Sequence, residues 1–135
     1  MFNRGILVAS HGNFASGALM TAEMFVGETT NDRVRTLGLM PGENIVEFEH
    51  YFKNQVNELL DSNQEVIVLT DLIGGSPNNV ALSQFLNLDS VDIVTGFNIP
   101  LLVELISSYD SKINLEEIVQ NAQNSLFNVK QQLNV

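Results

Sequence analysis

The 135-residue sequence predicts an α/β domain with a mainly parallel open sheet and helices on both faces. Three observations lead there. Short, continuous apolar runs recur along the chain, as in strands buried on both sides. A helical segment follows each of them, and that alternation argues for parallel strands joined by crossovers. The length is that of one domain, and no linker, repeat or low-complexity stretch divides it, so residues 1–135 are expected to form a single unit.

The elements follow in order. Ile6-Leu7-Val8-Ala9 reads as a buried strand ending in the loop Ser10-His11-Gly12. Ala15 to Val26 reads as a helix, with Gly27 at its stop. Val34-Arg35-Thr36-Leu37 is a second strand, and Pro41-Gly42 a turn. From Glu43 to Ser62, Ile45, Phe48, Phe52, Val56, Leu59 and Leu60 recur with helical spacing, the strongest periodic signal in the chain. Val66-Ile67-Val68-Leu69 is the clearest buried strand, followed by Thr70-Asp71 and a glycine-rich turn. Val80 to Leu86 should be helical, with Ser76 as N-cap and Pro77 at the first helical position. A fourth strand spans Val91 to Gly96, a helix Leu101 to Tyr109, and Asn114 with Glu116 and Glu117 starts another. In the tail, Phe127, Val129 and Leu133 alternate in part. That suits an edge strand pairing with a second subunit, and equally the end of a long helix.

Composition excludes several function classes. Hydrophobic residues make up 44% and charged residues 16%, which is globular rather than disordered. No apolar stretch reaches the roughly 18 residues of a membrane span, and no signal peptide is read at Met1-Phe2-Asn3-Arg4, so a cytoplasmic location is expected. There is no cysteine, hence no disulfide or thiol chemistry, and with two histidines no metal or other cofactor is expected. The net charge of −10 disfavours nucleic acid and anionic membranes and favours a protein partner with a positive patch.

In an open α/β sheet, ligands bind beyond the carboxyl ends of the strands. His11, Asp71 and Asn98 fall there. In a flavodoxin-like strand order the first and third strands are neighbours, which sets Asp71 beside His11. A carboxylate that accepts one ring N–H fixes the imidazole tautomer and frees the other nitrogen to attack phosphorus. Gly74-Gly75-Ser76-Pro77 then offers close backbone approach and a helix N-terminus, a place for a small anion. No Lys follows, so this is not a nucleotide-binding P-loop. Gly12, Asn13, Met24 and Asn98 are expected to line the site. The bland alternative for His11 is a solvated loop histidine; His50, between Phe48 and Phe52 on the long helix, is read as a surface residue. Met20, Met24 and Met40 read as core fillers rather than ligands. A hydrolase triad of His11, Asp71 and Ser76 ranks low, because Ser76 lacks the Gly-x-Ser-x-Gly elbow.

Five segments together resemble the IIA component of the mannose class of the bacterial phosphoenolpyruvate-dependent sugar phosphotransferase system. They are Ser10-His11-Gly12, Thr21-Ala22-Glu23-Met24, Pro41-Gly42-Glu43-Asn44, Thr70-Asp71 with Gly74-Gly75-Ser76-Pro77-Asn78, and Gly96 through Glu104. The resemblance implies that His11 accepts a phosphoryl group from the phosphocarrier protein HPr and passes it to a IIB component. It implies that Asp71 hydrogen-bonds the imidazole and that Ser76 and its neighbouring backbone hold the phosphate. It also implies a homodimer that exchanges a C-terminal strand, and membrane components IIC and IID that the chain serves indirectly. This chain has Ile73 where the family often has an aromatic residue. The phosphotransferase subunit of the dihydroxyacetone kinase system is the alternative of the same fold, as is a regulatory domain without onward transfer. The Gly-Gly-Ser-Pro turn and Asn98-Ile99-Pro100 favour the sugar-transport class.

Overall fold

A computed structural model describes residues 1–135. Its elements are β1 (Arg4–His11), α1 (Phe14–Val26), β2 (Val34–Leu39), α2 (Ile45–Ser62), β3 (Glu65–Thr70), α3 (Ser76–Phe85), β4 (Val91–Thr95), α4 (Ile99–Ser107), α5 (Leu115–Gln123) and α6 (Val129–Leu133). The strands form one sheet of order β2-β1-β3-β4, parallel at every pairing.

The two central strands explain the layers. Ile6 to Ala9 and Val66 to Leu69 are all at most 1% exposed. Because side chains alternate along a strand, Ile6, Val8, Ile67 and Leu69 pack on one side with α1, α4 and α5. Leu7, Ala9, Val66 and Val68 pack on the other with α2 and α3. The chain leaves β1 toward β2 and leaves β3 toward β4, in opposite directions, so the strand order reverses between β1 and β3. Crevices form at such switch points, at the carboxyl ends of the strands.

Helix boundaries follow local chemistry. The Asn44 side chain accepts from the amides of Val46 (2.8 Å) and Glu47 (3.2 Å), so α2 starts at Ile45 rather than Glu43. Phe48, Phe52, Val56 and Leu59 are fully buried beneath it, and His50 is exposed as expected. Helix α3 starts four residues before Val80. Its cap is Gly75, with no side-chain cap bond, which corrects the assignment of that place to Ser76; Ser76 is the first helical residue and Pro77 sits in the first turn. The Pro ring fixes φ near the helical value, and its missing N–H has no partner to lose there.

Two further expectations are corrected. Met20, Met24 and Met40 are 70%, 83% and 43% exposed, not core. Helix α1 meets the sheet through Ala15, Ala18 and Ala22, whose small side chains let it pack closely and leave Met20 and Met24 on its outer faces; Met40 lies in the turn after β2. The tail forms no edge strand in the single chain. Val129 and Leu133 stand four apart, a helical spacing, and Asn128 caps α6 by accepting from the Gln131 amide at 3.2 Å. In the single chain it lies along neither sheet edge, and local capping sets its conformation. No helix is long and apolar enough to cross a membrane.

The amino end of the sheet holds the arginines. Arg4, 1% exposed, donates from Nε to Glu65 (2.9 Å), and its two terminal nitrogens reach the carbonyls of Ser108 and Ser111 (both 3.1 Å). Arg33 lies 3.8 Å above the Tyr109 ring and pairs with Asp110 at 2.7 Å. Arg35 pairs with Glu58. These bonds tie the α4–α5 connection and α2 to the strand starts.

Candidate functional site

Parallel pairing of Ala9 with Thr70 brings the ends of β1 and β3 level. Asp71, the first residue beyond β3, therefore stands beside His11. One oxygen, Oδ2, accepts from the His11 backbone N–H and from its ring Nδ1, both at 3.0 Å. With Nδ1 as donor, Nε2 carries a free lone pair. The His11 side chain is 47% exposed and that of Asp71 15%, so the imidazole is open while its partner is sheltered. Burial is the largest influence on the Asp71 carboxyl and pushes its pKa up. The hydrogen bonds from the His11 backbone and ring, with the ring's charge, outweigh it and hold the carboxyl below its ordinary value. Its other oxygen, Oδ1, is buried without a hydrogen-bond partner.

Two glycines seat the histidine. A Cβ on Gly75 would stand 2.6 Å from His11 Cε1 and 3.4 Å from Nε2, so only glycine lets the turn lie against the ring. Gly38, in β2, does the same for the backbone that follows. A Cβ there would fall 2.1 Å from the Gly12 carbonyl oxygen, in a stretch where the Gly12 N–H reaches Leu39 O at 2.8 Å. Ser10 Oγ accepts from the Ala15 amide at 2.8 Å and closes the loop onto α1. Gly74, at φ 79°, has a conformation that side chains disfavour, and it turns the chain into α3.

His11 and Gly12 share a groove of about 580 Å³ with the turn Met40–Glu43, Ile45 and Ser76. Neither Lys nor Arg lines it. At the start of α3, the Asn79 amide bonds Gly75 O at 3.0 Å, while the backbone amides of Ser76 and Asn78 reach no backbone acceptor. Amides left over at a helix start attract anions. A histidine with one nitrogen engaged, a free second nitrogen and neutral donors across an open groove suits a phosphoryl group that is taken up and released.

The sequence profile of the family described as PTS system fructose IIA component, EIIA-man, matches residues 5–123. The chain belongs to this family. It is a IIA component of a sugar phosphotransferase system. The PTS system mannose-specific EIIAB component of Escherichia coli (strain K12) is 34% identical over 114 residues, 84% of this chain and 34% of that relative. The chain thus spans about a third of that relative's length. The PTS system fructose-specific EIIA component of Bacillus subtilis (strain 168) is 25% identical over 116 residues, 86% of this chain and 77% of that one. The crystal structure of the PTS IIA protein associated with the fucose utilization operon from Streptococcus pneumoniae superposes with a TM-score of 0.96 at 98% identity, covering 98% of this chain and 97% of that one.

Within the IIA chain, His11, Asp71, Gly12, Gly75 and Ser76 come together as the sequence suggested. Asn13 follows them at the N-cap of α1, exposed and without a side-chain cap bond. Met24 does not join them; it lies near the far end of α1, outside the groove. Asn98 is drawn off to another task. Its side chain accepts from the Leu101 amide (3.0 Å) and donates to Ala122 O (2.8 Å), which links α4 to α5. From the sequence, neither Ser10 nor Gly38 has a separate role. A glycine inside a strand was the available signal for Gly38, since it marks close backbone approach.

Proposed function

We propose that His11 is the phosphoryl carrier of this IIA component, taking the group from phospho-HPr and giving it to a IIB component. The observation that supports this most is the bond from His11 Nδ1 to Asp71 at 3.0 Å, which directs the lone pair of Nε2 outward. In the proposed transfer, Nε2 attacks phosphorus and an N–P bond forms. The donor's bond to phosphorus breaks and the donor keeps the electron pair. The ring gains positive charge, which Asp71 stabilises while it holds the Nδ1 proton. The Ser76 and Asn78 amides and the Ser76 hydroxyl hold the phosphoryl oxygens. With no cation in the groove, the group is held loosely enough to pass on.

The same reading includes a cytoplasmic homodimer that reaches IIC and IID only through IIB. Leu126, Val129 and Leu133, 83%, 59% and 63% exposed, and the unpaired outer edge of β4 support pairing of the tail with a second copy. The 98% identity to a protein associated with the fucose utilization operon leads to the same association here.

Incubation with phosphoenolpyruvate, enzyme I and HPr should load one acid-labile phosphoryl group per chain. His11→Ala should carry none, and undiminished labelling of that variant would refute the assignment. Whether a IIB component or a dihydroxyacetone kinase subunit then takes the label separates the two pathways of this fold.

A further inference from the structure

Under the groove lies a buried polar chain that the proposed transfer does not use. Thr70 is fully buried and Asn78 is 4% exposed. Thr70 Oγ1 lies 3.0 Å from Asn78 Oδ1 and 2.9 Å from Thr95 Oγ1. A hydroxyl has one proton to give. Thr70 gives it to the Asn78 carbonyl oxygen, so the Thr95 hydroxyl donates to Thr70, and the donation runs from β4 through β3 to α3. The Thr70 backbone carbonyl also accepts from the amides of Gly96 (2.9 Å) and Phe97 (3.3 Å). The residue just before Asp71 is therefore held by both its side chain and its carbonyl.

The placement of the polar groups is informative. Further along α3, Val80, Ala81 and Phe85 fill the core with apolar side chains. An apolar residue at position 78 would bury as readily, whereas an amide is costly there unless it bonds. What the amide adds is direction, because its bond exists at one position of the helix start only. That start carries the Ser76 amide and abuts the His11 ring at Gly75.

We infer that Asn78, bonded to Thr70, is a positioning residue that sets the phosphoryl-holding start of α3 against the His11–Asp71 pair. The inference rests on the reading of His11 as the carrier. A small displacement of donors from the reacting phosphorus costs rate well before it costs stability.

The test measures transfer from phospho-HPr by Thr70→Val, Thr70→Ser and Asn78→Ala, with circular dichroism at the assay temperature. Thr70→Val keeps the shape and loses the hydroxyl; Thr70→Ser keeps the hydroxyl. Thr70→Val and Asn78→Ala should lower kcat about tenfold with KM for phospho-HPr unchanged. Thr70→Ser should stay within about twofold of the parent chain. If Thr70→Val does not fold, Asn78→Ala carries the same criterion. Folded variants that melt earlier yet transfer at the parent rate would show a purely structural network and overturn the inference. A parent chain that takes no phosphoryl group would instead overturn the carrier reading beneath it.

Discussion

At the amino ends of the strands, Arg4 is 1% exposed and spends its donors on Glu65, Ser108 and Ser111. At the carboxyl ends, His11 is 47% exposed and its one ionic partner is Asp71. Two carboxyls record the difference. Asp71 lies below its ordinary value because the bonds from His11 outweigh burial. Asp92, near Arg4, lies above it because burial and the charge of Glu65 outweigh Arg4. One end is closed and pairs its cations inside the protein. The other is open, cation-free and organised around a single nitrogen. The scaffold thus keeps its arginines at the end of the sheet opposite the proposed phosphoryl site.

Substitutions at each end sharpen this contrast. Asp71→Ala should slow phosphoryl transfer about 100-fold or more, by freeing the ring to change tautomer and removing its counter-charge; transfer assays with phospho-HPr read it directly. Gly75→Ala should follow, at roughly tenfold to 100-fold slower, because its Cβ would displace the His11 ring from 2.6 Å away. Its circular dichroism spectrum should match the parent's. Arg4→Ala should do the reverse. Loss of one partner of a fully buried pair costs about 3–5 kcal/mol, and Glu65, 33% exposed, brings the expected loss below that. Chemical denaturation should show the loss, and the folded variant should transfer at the parent rate.

The smallest effect concerns pH. Asp71, depressed in the folded state, contributes stability that is present above about pH 4 and is lost as pH falls through its lower folded value. Asp92, raised, favours the folded state only in acid, and that contribution is lost as pH rises through its folded value. Asp92→Asn should therefore stabilise the chain at pH 7, by up to about 0.5 kcal/mol, and the gain should vanish near pH 3. Denaturation midpoints across that range measure it.

The carboxyl-end half of this contrast was legible in the sequence. The runs Ile6–Ala9 and Val66–Leu69 read as buried strands, and a flavodoxin-like order sets Asp71 beside His11. What escaped was decided by contacts between distant residues. Nothing local says that α1 would meet the sheet through alanines and leave Met24 outside, and a strand glycine such as Gly38 signals a close approach without naming the Gly12 carbonyl as its partner. Asn98 sits at a strand end, as expected of a site residue, but Ala122, distant in sequence, claims its amide. The tail was open to both an edge strand and a helix end; in the lone chain Asn128 and the spacing of Val129 and Leu133 give a helical turn.

In the proposed transfer, Asp71 occupies Nδ1 and leaves Nε2 of His11 to carry phosphorus. NMR of the phosphorylated chain with nitrogen-labelled histidine, read through nitrogen–phosphorus coupling, tests it most directly. A single phosphohistidine is expected, at His11 and bonded through Nε2. Phosphorus on Nδ1, or on any other residue, would contradict it.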